Sequence, residues 1–132
     1  YCPIDDDMPG IVRALESASV IVVCTPVYTG TVPAGLKAVI DRCQWLHARE
    51  KVLGREVHAR GLLVAVARQR GSEPFVCITR VVGMFMGNLG IRPAAPVLID
   101  DLDRARDVGK VEGAEDDVRA ALRALLAPRD EG

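Results

Sequence analysis

Three short apolar runs, separated by segments with helical spacing, constrain this chain more than any other feature. The first is Ser19-Val20-Ile21-Val22-Val23-Cys24-Thr25, which Pro26 ends. The second is Gly61-Leu62-Leu63-Val64-Ala65-Val66-Ala67, and the third spans 94–99, partly broken by Pro96. Short continuous runs of this kind read as strands buried on both faces, as in a parallel sheet. Around them lie helical stripes: Met8, Ile11, Val12 and Leu15 over 5–17, and Leu36, Val39, Ile40, Cys43 and Leu46 over 33–47. A third helix is predicted over 73–89, apolar nearly all round and therefore buried on more than one side, with Gly90 as its C′ residue. The last runs over 114–127 on Val118, Ala121, Leu122, Leu125 and Leu126. The Asp5-Asp6-Asp7 run supplies an N-cap to the first helix, whose first turn tolerates Pro9. Residues 48–60 read as a loop and 128–132 as a frayed tail.

The order α-β-α-β-α-β-α predicts parallel α/β layers with right-handed crossovers. The 132 residues suit one domain, 1–132, and there is no repeat or interdomain linker. Seventeen basic residues against eighteen acidic ones leave no electrostatic footprint for nucleic acid or an anionic membrane. No apolar run approaches the roughly 20 residues that span a bilayer. The opening residues do not read as a secretory signal, which is basic and then apolar. Cys2, Cys24, Cys43 and Cys77 are widely spaced, and the last three lie in apolar segments. Reduced, buried thiols in a cytoplasmic protein fit that pattern better than a disulfide framework.

Open parallel sheets bind ligands beyond the carboxyl ends of their strands, which directs attention to loops 25–32, 68–73 and 100–103. The first reads Thr25-Pro26-Val27-Tyr28-Thr29-Gly30-Thr31-Val32-Pro33. Its glycine and two prolines make a rigid turn that exposes backbone N–H groups, and Tyr28 offers one planar ring. The hydroxyls of Thr25, Thr29 and Thr31 add hydrogen-bonding capacity, and the positive end of the following helix points the same way. Such a loop suits a planar heterocycle with carbonyl and ring-nitrogen acceptors; the alternative is a tight strand-to-helix turn with an incidental Tyr. In the second loop Arg68 and Arg70 can attract a nucleotide phosphate, and Gly71 lets backbone approach a ring. Its alternative is a solvated turn with Ser72 or Glu73 opening a helix. Lys37, Asp41 and Arg42 read as ion-pairing residues, Trp45 as a core or interface packing residue, and His47 and His58 lack the partners of a metal site.

Asp6-Asp7-Met8, Ser19 to Tyr28, Gly30, Leu36-Lys37 and Asp41-Arg42 together resemble the NADPH-dependent FMN reductase and iron–sulfur flavoprotein family. The likeness covers about residues 2–92, and the P-V-Y-x-G motif combined with L-K…D-R carries its specificity. Arg70-Gly71-Ser72-Glu73 matches that family's glycine-containing, Glu-ending loop after the next strand. The resemblance implies a flavodoxin-like, three-layer α/β/α fold, bound FMN, NAD(P)H as co-substrate and a homodimer or homotetramer. It implies that Thr25, Pro26, Val27, Tyr28, Thr29 and Gly30 contact the isoalloxazine ring, and that Arg70, Gly71 and Glu73 lie against the ring or the nicotinamide side. Hydride passes to flavin N5 and electrons go on to a flavin, quinone or similar small-molecule acceptor, so no catalytic side chain is named.

The family also has a G-S-x-R-type phosphate loop and a first strand, which this sequence lacks. The expectation is the C-terminal portion of one flavodoxin-like domain, half of a five-stranded sheet. Cys2 occupies the place of the last cluster cysteine in the iron–sulfur branch. One cysteine cannot hold an iron–sulfur cluster (4Fe-4S), which needs about four ligands, so a cluster is expected only if upstream cysteines exist. The rival to a reductase is a non-enzymatic flavodoxin-like electron-transfer module or an incomplete fragment.

Overall fold

The computed structural model of the chain describes residues 4–53, 59–102 and 108–128. The first helix, α1 (Met8–Ser17), starts later than the acidic run. Asp6 does the capping: its Oδ1 accepts the Met8 N–H at 3.0 Å, while Asp7, at the N-cap position, makes no side-chain cap. Pro9 sits in the first turn, where its missing N–H costs nothing.

Strand β1 (Val20–Pro26) pairs in parallel with β2 (Arg60–Val66), from Val20 opposite Arg60 to Pro26 opposite Val66. β2 pairs in parallel with the short β3 (Val97–Ile99), giving the order β1-β2-β3. The third run is shorter than its apolar content implies because Pro96 has no N–H to give the ladder. Ahead of it, the Ala94 N–H still reaches the Gly61 carbonyl at 2.8 Å.

Successive strand residues point to opposite faces. On one face Ile21, Val23, Leu63 and Ala65 share a core cluster with side chains of the flanking helices, including Met8, Val12 and Ile40. On the other, Leu62 and Ile99 are buried alongside Ala114 and Leu125 of α5 (Ala114–Leu126), which packs on β2 and β3. Full burial of a residue such as Leu62 contributes about 2 kcal/mol over leaving it in water. The Arg60 guanidinium donates to the Ala127 carbonyl at 2.6 Å, tying the end of α5 to the start of β2. The layers are therefore α/β/α, and the fold is flavodoxin-like.

The expectation that β1 is buried on both faces does not hold. Val22 and Cys24 are exposed, because α5 lies over β2 and β3. Cys24 is thus not a buried thiol, and neither is Cys77; among the described cysteines only Cys43 is, at 1% exposure.

The predicted 33–47 helix is two helices, α2 (Ala34–Arg42) and α3 (Gln44–Leu53), so α3 also takes in part of the predicted loop. The break falls at Cys43, whose N–H is shared between the Val39 and Ile40 carbonyls at 3.0 and 3.2 Å. That tightened turn leaves Ile40, Cys43 and Leu46 all in the core, and no glycine or proline marks it. A 3-10 turn (Glu73–Phe75) leads into α4 (Val76–Asn88). Only one side of α4 is covered: Ile78, Val82, Phe85 and Met86 are buried, whereas Val76 and Met84 are 66% and 61% exposed. The reading of burial on several sides is corrected accordingly. Gly90, at φ 71°, ends α4 as expected. The Gly90 N–H bonds the Gly87 carbonyl and the Ile91 N–H bonds Met86, the paired bonds of a Schellman cap.

Candidate functional site

In a parallel sheet all carboxyl ends fall on one rim, and backbone bonds tie its loops together. The Val27 N–H bonds the Val66 carbonyl at 2.9 Å, seating the first loop on the end of β2. The Ala67 N–H bonds Ile99 at 2.9 Å, and Leu102 returns to the Ala67 carbonyl at 3.1 Å, seating the second loop against the third.

The first loop is a miniature hairpin. Tyr28 and Thr31 exchange N–H···O bonds of 2.8 and 3.0 Å around Thr29 and Gly30. Both central residues have positive φ, 49° and 75°, the signature of a type I′ turn. Glycine adopts this freely, whereas a β-branched threonine is strained there. Strain of this kind collects at functional sites. Among the described residues the Thr29 and Gly30 amides bond no acceptor, and a side chain at Gly30 would meet open space. Tyr28 is 61% exposed beside them. Thr25 differs: it is buried, and its hydroxyl donates to the Pro26 carbonyl at 3.1 Å. Pro33 precedes α2 without a side-chain cap, so this helix start also faces the loop with bare amides.

The second loop is less open than its sequence implies. The Arg70 guanidinium donates to Asp101 Oδ2 at 2.6 Å, and the Gly71 N–H to Asp100 Oδ2, also at 2.6 Å. Arg70 therefore does not stand as an unengaged cation for a phosphate, and the Gly71 amide is already committed. The Arg70 hydrogen bond, with its charge, holds the Asp101 carboxyl below the usual range, and Asp101 raises Arg70 in turn. Asp101 itself sits at φ 59°, in the left-handed region. Glu73 is exposed and opens the 3-10 turn. Two consecutive acids following a strand, opposite an Arg-Gly pair, were the signal in the sequence for this staple. Loop 100–103 was singled out by topology with no role attached; Asp103 lies outside the described residues.

The remaining candidates are structural. Lys37 pairs with Asp41 one helical turn away, and Arg42 bonds both Asp6 oxygens across helices, at 2.5 and 3.1 Å. The Arg42 contact, then the Met8 amide, hold the Asp6 carboxyl below its ordinary value. A cleft of about 180 Å³ lies between Asp6, Met8 and Ile11 on one side and Ala38, Val39 and Arg42 on the other, with its one cation already paired to Asp6. Burial pushes the Cys43 thiol up, against a smaller opposing pull from Arg42. Trp45 is partly exposed rather than a core residue. Among the described residues no group of His, Cys, Asp or Glu is placed to hold a metal ion; Cys2 and His58 lie outside them. No helix among them is long and apolar enough to cross a membrane.

The sequence model of the NADPH-dependent FMN reductase family matches residues 1–98. An iron–sulfur flavoprotein from Methanosarcina thermophila is 41% identical over 73 residues, 55% of this chain and 38% of that protein. Another, from Archaeoglobus fulgidus, is 35% identical over 94 residues, 71% of this chain and 47% of its own length. The matches thus span less than half of either relative. Among solved structures, the Trp repressor binding protein from Bacillus subtilis superposes with a TM-score of 0.70 at 20% identity, covering 94% of this chain and 78% of that one.

Proposed function

Because the chain belongs to the NADPH-dependent FMN reductase family, we propose that its carboxyl-end rim holds the ring portion of FMN for NAD(P)H-dependent reduction of a small electron acceptor. The observation that carries this reading is the strained Thr29–Gly30 turn, which presents two unbonded amides beside the exposed Tyr28. Those donors fit the carbonyl and ring-nitrogen acceptors along one edge of an isoalloxazine, and the bare Gly30 lets that edge come close. Bound FMN supplies the redox chemistry, accepting hydride from a reduced nicotinamide and releasing electrons to a flavin, quinone or related acceptor.

The chain's own part is position. The type I′ geometry fixes both amide directions before any ligand arrives, so little reorganisation accompanies binding. Pro26 and Pro33 stiffen the two ends of the turn, and the Val27–Val66 bond anchors it to the sheet. Tyr28 covers one edge of the ring, and Gly71 and Glu73 border the nicotinamide side. No described residue is assigned to the FMN phosphate.

The test is absorption spectroscopy of the full-length protein. It should bind FMN, show flavin bands, and bleach anaerobically on addition of NADPH or NADH. A folded protein that stays colourless with excess FMN overturns the reading. Flavin binding without nicotinamide oxidation leaves instead an electron-transfer module.

A further inference from the structure

Asp100 and Asp101 take no part in the ligand contacts proposed above, yet both reach back to the loop that borders them. Asp100 Oδ2 accepts the Gly71 N–H at 2.6 Å, and Asp101 Oδ2 accepts Arg70 at 2.6 Å. Consecutive acids on one loop thus hold consecutive residues on the other. Two further observations make this an organised device. Asp101 occupies the left-handed region at φ 59°, where a non-glycine residue is uncommon. Gly71 sits at φ 91°, a conformation that side chains avoid. The Asp101 loop is therefore held in an unfavourable backbone state, and the Gly71 loop in one that glycine alone adopts freely, at the point where they are cross-linked. The same junction is tied by the Ala67–Ile99 and Leu102–Ala67 backbone bonds.

The two links differ in weight. Arg70 and Asp101 are 81% and 47% exposed, so their pair is screened by water and contributes little stability by itself. The Asp100–Gly71 bond is charge-assisted and fixes a backbone amide, which determines the path of the chain. On the reading that loop 68–73 borders the nicotinamide side, we propose that Asp100 is a positioning residue, assisted by Asp101, that sets the shape of this loop for its ligand. Neither acid touches the ligand; each acts through Gly71 or Arg70.

The experiment uses the full-length protein and three variants: Asp100→Ala, Asp100→Asn and Asp101→Asn. Hydrogen exchange is measured over 68–73 in each, together with thermal stability. Asp100→Ala should speed exchange at Gly71 about tenfold, the size expected for losing one hydrogen bond to a charged group, with the melting temperature little changed. Asp100→Asn keeps a side-chain oxygen acceptor and should restore most of the protection. Asp101→Asn should have the smaller effect. In steady-state kinetics Asp100→Ala should raise KM for the nicotinamide about tenfold while kcat moves less than twofold, and Asp100→Asn should rescue it. Unchanged exchange in Asp100→Ala overturns the proposal, as does faster exchange with KM unaltered in an active enzyme. A wild-type protein that binds no flavin defeats the functional reading instead. The exchange comparison still decides whether Asp100 shapes the loop.

Discussion

The type I′ turn at Thr29–Gly30 separates two residues of similar backbone geometry but opposite cost. At φ 49° Thr29 carries left-handed strain that its β-branch aggravates, whereas Gly30 at φ 75° carries none. Left-handed backbone costs a non-glycine residue about 1–2 kcal/mol, offset in part by the extra chain entropy glycine loses on folding. Thr29→Gly should therefore stabilise the protein by about 0.5 kcal/mol, and Gly30→Ala should destabilise it by about 1 kcal/mol. Urea unfolding of both variants checks the pair. Equal midpoints for the two would mean that the turn is not type I′ in solution. Since nothing within 4 Å would meet a side chain at Gly30, the expected loss reports backbone strain alone.

Among the elements, β2 shows how one glycine lets a helix approach a sheet. A Cβ on Gly61 would lie 2.6 Å from Met86 Sδ and 3.0 Å from Ile91 Cγ2. Those two residues are joined by the bond that caps α4, so the cap and the strand contact are one piece of packing. Met86 is flexible but fully buried, so its side chain yields only by pushing on close-packed neighbours. Gly61→Ala should cost about 1–3 kcal/mol by overpacking. The cost should shrink in a Met86→Val background, where the sulfur is gone, and a double-mutant cycle measures that coupling. Additive losses would place the clash elsewhere.

For the whole molecule, the three described cysteines report which layers are closed. Cys43 is sealed in the helical layer and its thiol is pushed up by burial, so little thiolate is present to react. Cys24 faces out from β1 on the side that α5 leaves open, and Cys77 lies on the uncovered side of α4. Alkylation of the native protein followed by mass spectrometry should label Cys24 and Cys77 rapidly and Cys43 only on unfolding. Protection of Cys24 would mean that another element or chain covers that face of β1 in solution.

Much of this was legible in the sequence. Strands, helices and parallel order follow from the apolar runs and stripes, because side-chain periodicity is a local property. The loop at 25–33 was legible as well, since glycine, proline and threonine each restrict backbone in a known way. What the sequence did not carry were facts about partners. The break at Cys43, the exposure of Cys24 and Val22, and the one-sided burial of α4 depend on which neighbour lies opposite, and apolar residues look alike whether covered or not. Arg70 read as a free cation because Asp101 is thirty-one positions away. Only the parallel register, which sets the ends of β2 and β3 side by side, brings the two loops within reach and turns a phosphate-attracting residue into one half of a staple.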